Sequence, residues 1–126
     1  MPTKQHAPRK GLQRIISAFR NSCHGLIAAC QEAAFKQELL LAIILIPAAF
    51  GVGKNWLEIC FLIGTVVFVL VTEILNSAVE AVVDRVGPEW HALSKNAKDL
   101  GSAAVLLAIV FCLMTWAWAL YERFIA

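Results

Sequence analysis

Polar and apolar positions along this chain fall into long blocks rather than a short alternation. Three stretches are almost pure hydrocarbon: Leu39 to Val52, Ile59 to Thr72, and Ala103 to Leu120. The third is long enough to cross a hydrocarbon layer of about 30 Å at about 1.5 Å per residue. The first two reach that length only if their helices run on into polar flanks, through Ala33 to Glu38 and through Glu73 to Val83. The pattern therefore predicts spans at about 33–52, 56–83 and 99–120, with the second helix continuing to about Val86. Pro47 falls late in the first span, where it removes one backbone hydrogen bond. GVGKN makes the first turn, with Trp56 at interface depth and Glu58 in the first turn of the next helix, facing the positive end of its dipole. GPEWHALSKN, broken by Gly87 and Pro88, makes the second loop, so the third span's helix is expected to start near Ser94 or Asn96 and to end in the aromatic belt WAWALYERF.

Ahead of the spans, GLQRIISAFRNSCHG has a different period. Leu12, Ile15, Ile16 and Phe19 recur at i, i+3, i+4, i+7, and Gln13, Arg14, Ser17, Arg20 and Asn21 take the other face. This predicts a helix at about 11–24 lying in the membrane interface with its apolar side down, Gly25 ending it. Packing on other protein is the alternative. Residues 1–10 carry two prolines and no apolar period and are expected to form a flexible tail; 11–126 then form one all-α membrane domain.

Composition agrees with that picture: 60% of the residues are hydrophobic, 16% are charged, and the mean hydropathy is +0.70. The start of the chain is basic and polar, without the apolar stretch of a cleavable signal. Lys4, Arg9, Lys10, Arg14, Arg20, Lys36, Arg85, Lys95 and Lys98 all flank one side of the predicted spans, against Lys54 and Arg123 on the other. That asymmetry puts the N-terminus and second loop in the cytoplasm and the C-terminus outside. A net charge of +2 gives no case for nucleic acid, and the basic groups suit anionic lipid headgroups better. Cys23, Cys30, Cys60 and Cys112 show no metal-binding spacing and no disulfide framework.

Candidate chemistry concentrates in EILNSAVEAVVDR. At about 100° per residue, Glu73, Asn76, Glu80 and Asp84 fall within roughly 80° of one another and form one stripe. An ionisable group at the edge of a membrane helix faces protein or water and is a functional candidate. A carboxylate beside hydrocarbon holds a proton more readily than one in water, so Glu73 suits a proton acceptor. Glu80 and Asp84 also fit a solvated helix end, Asp84 beside Arg85. Glu32 pairs with Lys36 within its helix, or else meets Glu80 across the bundle to make a hard oxygen site of the kind Mg²⁺ accepts alongside phosphate oxygens. In SKNAKDLGS, Lys98 and Asp99 offer a cation and a metal or ribose partner, and Gly101 with Ser102 permits close approach of a ligand or helix; a polar helix start is the plainer account. AAFGVGKN imitates a phosphate loop, but Ala48 and Asn55 replace its first Gly and final Ser or Thr. There is no protein-kinase triplet either.

QEAAFKQE, EILNSAVEAVVDR and HALSKNAKDLGSAAV closely resemble the integral-membrane diacylglycerol kinases of bacteria, and the resemblance covers the chain from Arg14 to the third span. It implies a homotrimer of three-span subunits, each with a surface helix, in the bacterial inner membrane, with active sites shared between subunits. It implies transfer of the γ-phosphoryl of MgATP to the hydroxyl of diacylglycerol, giving phosphatidic acid. By motif position, Glu73 would be the base, Asn76 would orient Glu73 or substrate, and Glu32 and Glu80 would hold Mg²⁺ on the nucleotide. Lys98 and Asp99 would contact phosphates or ribose, and Glu89, Trp90 and His91 would border the adenine. Asp84 would join the ATP-binding groups, Arg14 would reach nucleotide or lipid, and Ser102 would line the lipid site. An undecaprenol kinase of the same fold is the nearest rival. A small proton-coupled or ion transporter using Glu73, or a scaffold, are rivals of another class; three spans give no inverted repeat, and the acids crowd one end instead of the midplane.

Overall fold

The computed structural model describes residues 10–126, so the predicted tail falls almost wholly outside the described residues. Four helices follow one another: α1 (Leu12–Ala29), α2 (Ala33–Val52), α3 (Trp56–Val86) and α4 (Ala92–Phe124). The last three are long and apolar enough to cross a membrane. α4 packs along α3, α2 packs along α3, and α1 makes little contact with the other three. The apolar side of α1 is accordingly bare: Leu12, Ile15, Ile16 and Phe19 are each more than half exposed. Nothing within the chain covers that face, as expected of an amphipathic surface helix.

Two boundaries differ from the expectation. Gly25 does not end α1, which runs on to Ala29. A glycine inside a helix costs about 1 kcal/mol against alanine, too little to break a run continued by Leu26, Ile27, Ala28 and Ala29. α4 starts at Ala92, earlier than Ser94, because His91 caps it: its Nδ1 accepts the Leu93 N–H at 3.1 Å. α3 starts as predicted behind Asn55, whose Oδ1 accepts the Glu58 N–H at 3.0 Å.

The three long helices meet along stripes spaced alternately three and four residues apart, the signature of bundle packing. On α2 the stripe is Phe35, Glu38, Ala42, Leu45, Ala49 and Val52, of which Phe35, Ala42, Ala49 and Val52 are buried. On α3 it runs through Leu62, Thr65, Val66, Val69, Thr72 and Glu73, all buried. On α4 it runs through Val105, Ala108, Cys112 and Trp116. Ala42, Ala49, Leu62, Val66, Val69, Ala108, Cys112 and Trp116 form one continuous core. Thr65 and Thr72 enter it without cost, because each hydroxyl donates to a carbonyl one turn back, Leu62 and Val69, at 2.8 Å. Extended by the same spacing, the α3 stripe passes from hydrocarbon into Asn76 and Glu80, and the α4 stripe passes back into Gly101 and Lys98. Polar chemistry is thus the core's own face prolonged past its apolar end.

Candidate functional site

Glu73 is the deepest acid in the molecule, 8% exposed on α3 one residue past Thr72. Its neighbour is another acid: the carboxyl of Glu38, on α2, lies against that of Glu73. Glu38 Oε2 is buried without a hydrogen-bond partner. Two carboxylates this close repel if both are charged, and a proton or a cation between them removes the repulsion. Glu38 also lines an apolar cavity of about 210 Å³ between α2, α3 and α4, where it is the only charged residue beside Leu41, Leu45, Val69, Ile109 and Leu113.

One turn along α3, the Asn76 amide donates to Glu80 Oε1 at 3.2 Å, so within this chain Asn76 orients Glu80 and not Glu73. Asn76 Oδ1 is buried without a partner, facing Gly101 of α4. A further turn on, Asp84 Oδ1 accepts from Lys98 Nζ at 2.6 Å, tying α3 to α4. Glu80 lies close enough for its charge to act on the same ammonium. Asp84 therefore pairs across the bundle and not with the adjacent Arg85. Asp99 is held on its own helix by Lys95 at 2.5 Å. Both pairs are substantially exposed, so each holds its partners only loosely and a competing phosphate or ribose displaces it at small cost.

The remaining candidates sit at the margin. Trp90, 78% exposed, shares an open hollow at the start of α4 with Leu93, Lys95, Asn96 and Asp99. His91 lends one ring nitrogen to the α4 cap, and Glu89 folds back over Gly87. Ser102 is exposed on the face next to Gly101. Glu32 is the N-cap residue of α2, exposed, and among the described residues it has no ion pair with Lys36. Arg14 rides on α1, which makes little contact with the other helices. Among the described residues no three carboxylate, imidazole or thiol groups stand together as a cation cage. Mg²⁺ does not ask for one: it usually takes one or two carboxylates plus phosphate oxygens and water. Glu80, exposed and with Oε1 accepting from the Asn76 amide, is a ligand of that kind.

Glu38 is the residue that sequence reasoning missed. Its signal was present, since it occupies a bundle-facing position between Phe35 and Ala42 in an otherwise apolar stripe. In the sequence it closes the polar flank Ala33 to Glu38 directly after Lys36 and Gln37, and that polar company hides its bundle-facing position.

Comparison with known sequences extends across most of the chain. The family described as prokaryotic diacylglycerol kinase matches residues 20–120. The diacylglycerol kinase of Escherichia coli K12 is 46% identical over 115 residues, 90% of this chain and 94% of that protein. That of Pseudomonas aeruginosa is 48% identical over 108 residues, 85% of this chain and 88% of the relative. That of Haemophilus influenzae is 45% identical over 112 residues, covering 88% and 95%.

Proposed function

The chain belongs to the prokaryotic diacylglycerol kinase family, and on that premise we propose that it transfers the γ-phosphoryl group of ATP to the free hydroxyl of diacylglycerol, giving phosphatidic acid and ADP. The observation that carries the reading is that Glu38, which lines an apolar cavity, lies against the buried carboxyl of Glu73. A lipid hydroxyl that enters between bundle and bilayer meets a desolvated carboxylate while its acyl chains stay in hydrocarbon. Glu73 takes the hydroxyl proton as the oxygen attacks the γ-phosphorus and the bond to the bridging oxygen of ADP breaks. Glu38 sets the field in which that proton is held. The cavity beside Leu41, Leu45, Val69 and Leu113 accepts the first carbons of a chain.

The nucleotide side uses the groups nearer water. Phosphoryl transfer needs positioning and charge neutralisation more than covalent help from the protein. Glu80, with Glu32 from a neighbouring element or subunit, holds Mg²⁺, which when bound offsets charge on the phosphate oxygens. Lys98 exchanges Asp84 for a phosphate, and Asp99 exchanges Lys95 for a ribose hydroxyl or metal. Glu89, Trp90 and His91 border the base, and Arg14 of α1 folds over nucleotide or lipid headgroup; Ser102 lines the lipid side. The chain works as a homotrimer in the inner membrane, with the N-terminus and the acidic ends of the spans in the cytoplasm, where ATP is. Support for the trimer is membership of the family, and for the orientation the Lys and Arg asymmetry.

The test is direct. Purified protein in detergent is given radiolabelled MgATP with diacylglycerol or undecaprenol in separate mixed micelles. Label in phosphatidic acid is expected. Label only in undecaprenyl phosphate would reassign the substrate, and no label in either from a folded protein would return Glu73 to an ion-site role.

A further inference from the structure

Gly101 leaves open a space that a side chain would fill. A Cβ built on its backbone would stand on the Asn76 amide oxygen, with Cγ at 3.3 Å and the Asn76 Cα at 3.7 Å. The neighbour that would have to yield is therefore a short side chain close to its own backbone, not the end of a flexible one. The amide has little freedom to yield. Its NH₂ group donates to Glu80 Oε1 at 3.2 Å, so its oxygen must point the other way, toward α4. That oxygen is buried and unpartnered there. No ordinary stabilising hydrogen bond explains why the oxygen is kept against a helix backbone; the geometry is imposed by the approach of α4.

We propose that Gly101 is a positioning residue for phosphoryl transfer: by admitting the Asn76 amide oxygen into the space of its missing side chain, it fixes Asn76 so that its NH₂ holds the Glu80 carboxylate in place. Gly101 lies one turn from Lys98 on the same face of α4, so the same close approach sets the depth at which Lys98 meets Asp84 and Glu80. A methyl group at 101 has two ways to be accommodated. It turns the amide away from Glu80, or it pushes α3 and α4 apart where the site lies. Both remove the donor from Glu80. The inference rests on the kinase reading above, with Glu80 as the carboxylate facing the metal–nucleotide.

The experiment is a double-mutant cycle of Gly101→Ala with Asn76→Ala, each variant read by kcat, KM for MgATP, and Mg²⁺ titration with assembly checked in detergent. Gly101→Ala is expected to lower kcat about tenfold or more and to raise the Mg²⁺ requirement, the scale of losing one carboxylate-orienting contact. In the Asn76→Ala background, where the methyl has room, Gly101→Ala should change the residual kcat by no more than about twofold. Near wild-type kcat and Mg²⁺ titration in Gly101→Ala would overturn the proposal, and so would an equal loss in both backgrounds, since Gly101 would then act without Asn76. Should Gly101→Ala fail to assemble, the double variant decides: assembly with the activity of Asn76→Ala supports the proposal, and failure to assemble overturns it. Glu80→Gln is titrated in parallel. An unchanged Mg²⁺ requirement there defeats the metal-ligand reading alone, leaving Gly101 to be judged on kcat across the cycle.

Discussion

The two ends of the bundle are built from the same residue types and use them in opposite ways. At the end where α2 meets α3, Lys54, Asn55, Glu58, Trp118 and Glu122 satisfy one another. The Lys54 N–H donates to Glu58 Oε2 at 2.7 Å, Lys54 Nζ reaches Glu122 Oε2 at 3.3 Å, and Trp118 Nε1 donates to Glu122 Oε1 at 3.0 Å. At the other end Glu38 faces a second acid, and Glu38 Oε2 and Asn76 Oδ1 are buried with no partner. Among the described residues the only other such atom is Trp116 Nε1, a single indole N–H in the core. Carboxylates that close their own contacts fasten helices together. Carboxylates left wanting partners are held ready for a proton, a cation or a substrate, and the fold carries the cost of keeping them so.

The sharpest way to break the contrast is to neutralise the deepest acid. Glu73→Gln keeps shape and burial but cannot take a proton, and it is expected to lower turnover by about 10²-fold or more while leaving assembly intact. Near wild-type turnover in the purified variant would remove Glu73 as the base. Next in size is Glu80→Gln, for which the Mg²⁺ concentration at half-maximal rate should rise about tenfold. Here a rate profile against Mg²⁺ at saturating ATP is the measurement, and a curve superposable on wild type counts against the ligand.

Most of the frame was legible before any coordinates. Three hydrocarbon blocks, an interfacial period in GLQRIISAF and the stripe of Glu73, Asn76 and Glu80 all follow from local spacing, because burial on a helix is periodic in sequence. What was not legible depends on which face of one helix meets another. Glu38 lies 35 residues from Glu73 and looks like one more residue of a polar flank until α2 packs on α3. Asp84 sits beside Arg85 in sequence yet pairs with Lys98, on the next helix. Gly25 and the start of α4 went astray for a smaller reason, since a single glycine or cap shifts a helix end by amounts of order 1 kcal/mol that neighbours override.

Glu38 supplies a prediction in which stability and activity move apart. Replacing it with leucine removes a half-buried carboxylate that faces a second acid and keeps one buried oxygen unpartnered, and puts an apolar side chain against an apolar cavity, so Glu38→Leu should raise stability by about 1–2 kcal/mol in reversible unfolding from mixed micelles. The same change strips the field around Glu73, and phosphorylation should fall. A variant that is less stable than wild type would mean that the Glu38 carboxyl is satisfied in the resting protein, and the acidic end would then resemble the opposite one.

The smallest expected effect belongs to that opposite end, and it is the control that gives the others meaning. Lys54 and Glu122 are both about two-fifths exposed, so their ion pair contributes under about 1 kcal/mol. Glu122→Gln retains an acceptor for Trp118 and loses only the charge facing Lys54. Stability should fall by less than about 1 kcal/mol and turnover should stay within about twofold of wild type. Because α3 and α4 run the full length of the bundle, a loosened far end has a route to the site, and a large loss of turnover in Glu122→Gln would show that it is taken. In that event the pairing of Lys54 with Glu122 would be part of what holds Gly101 against Asn76, and the two ends could no longer be treated as separate uses of the same residues.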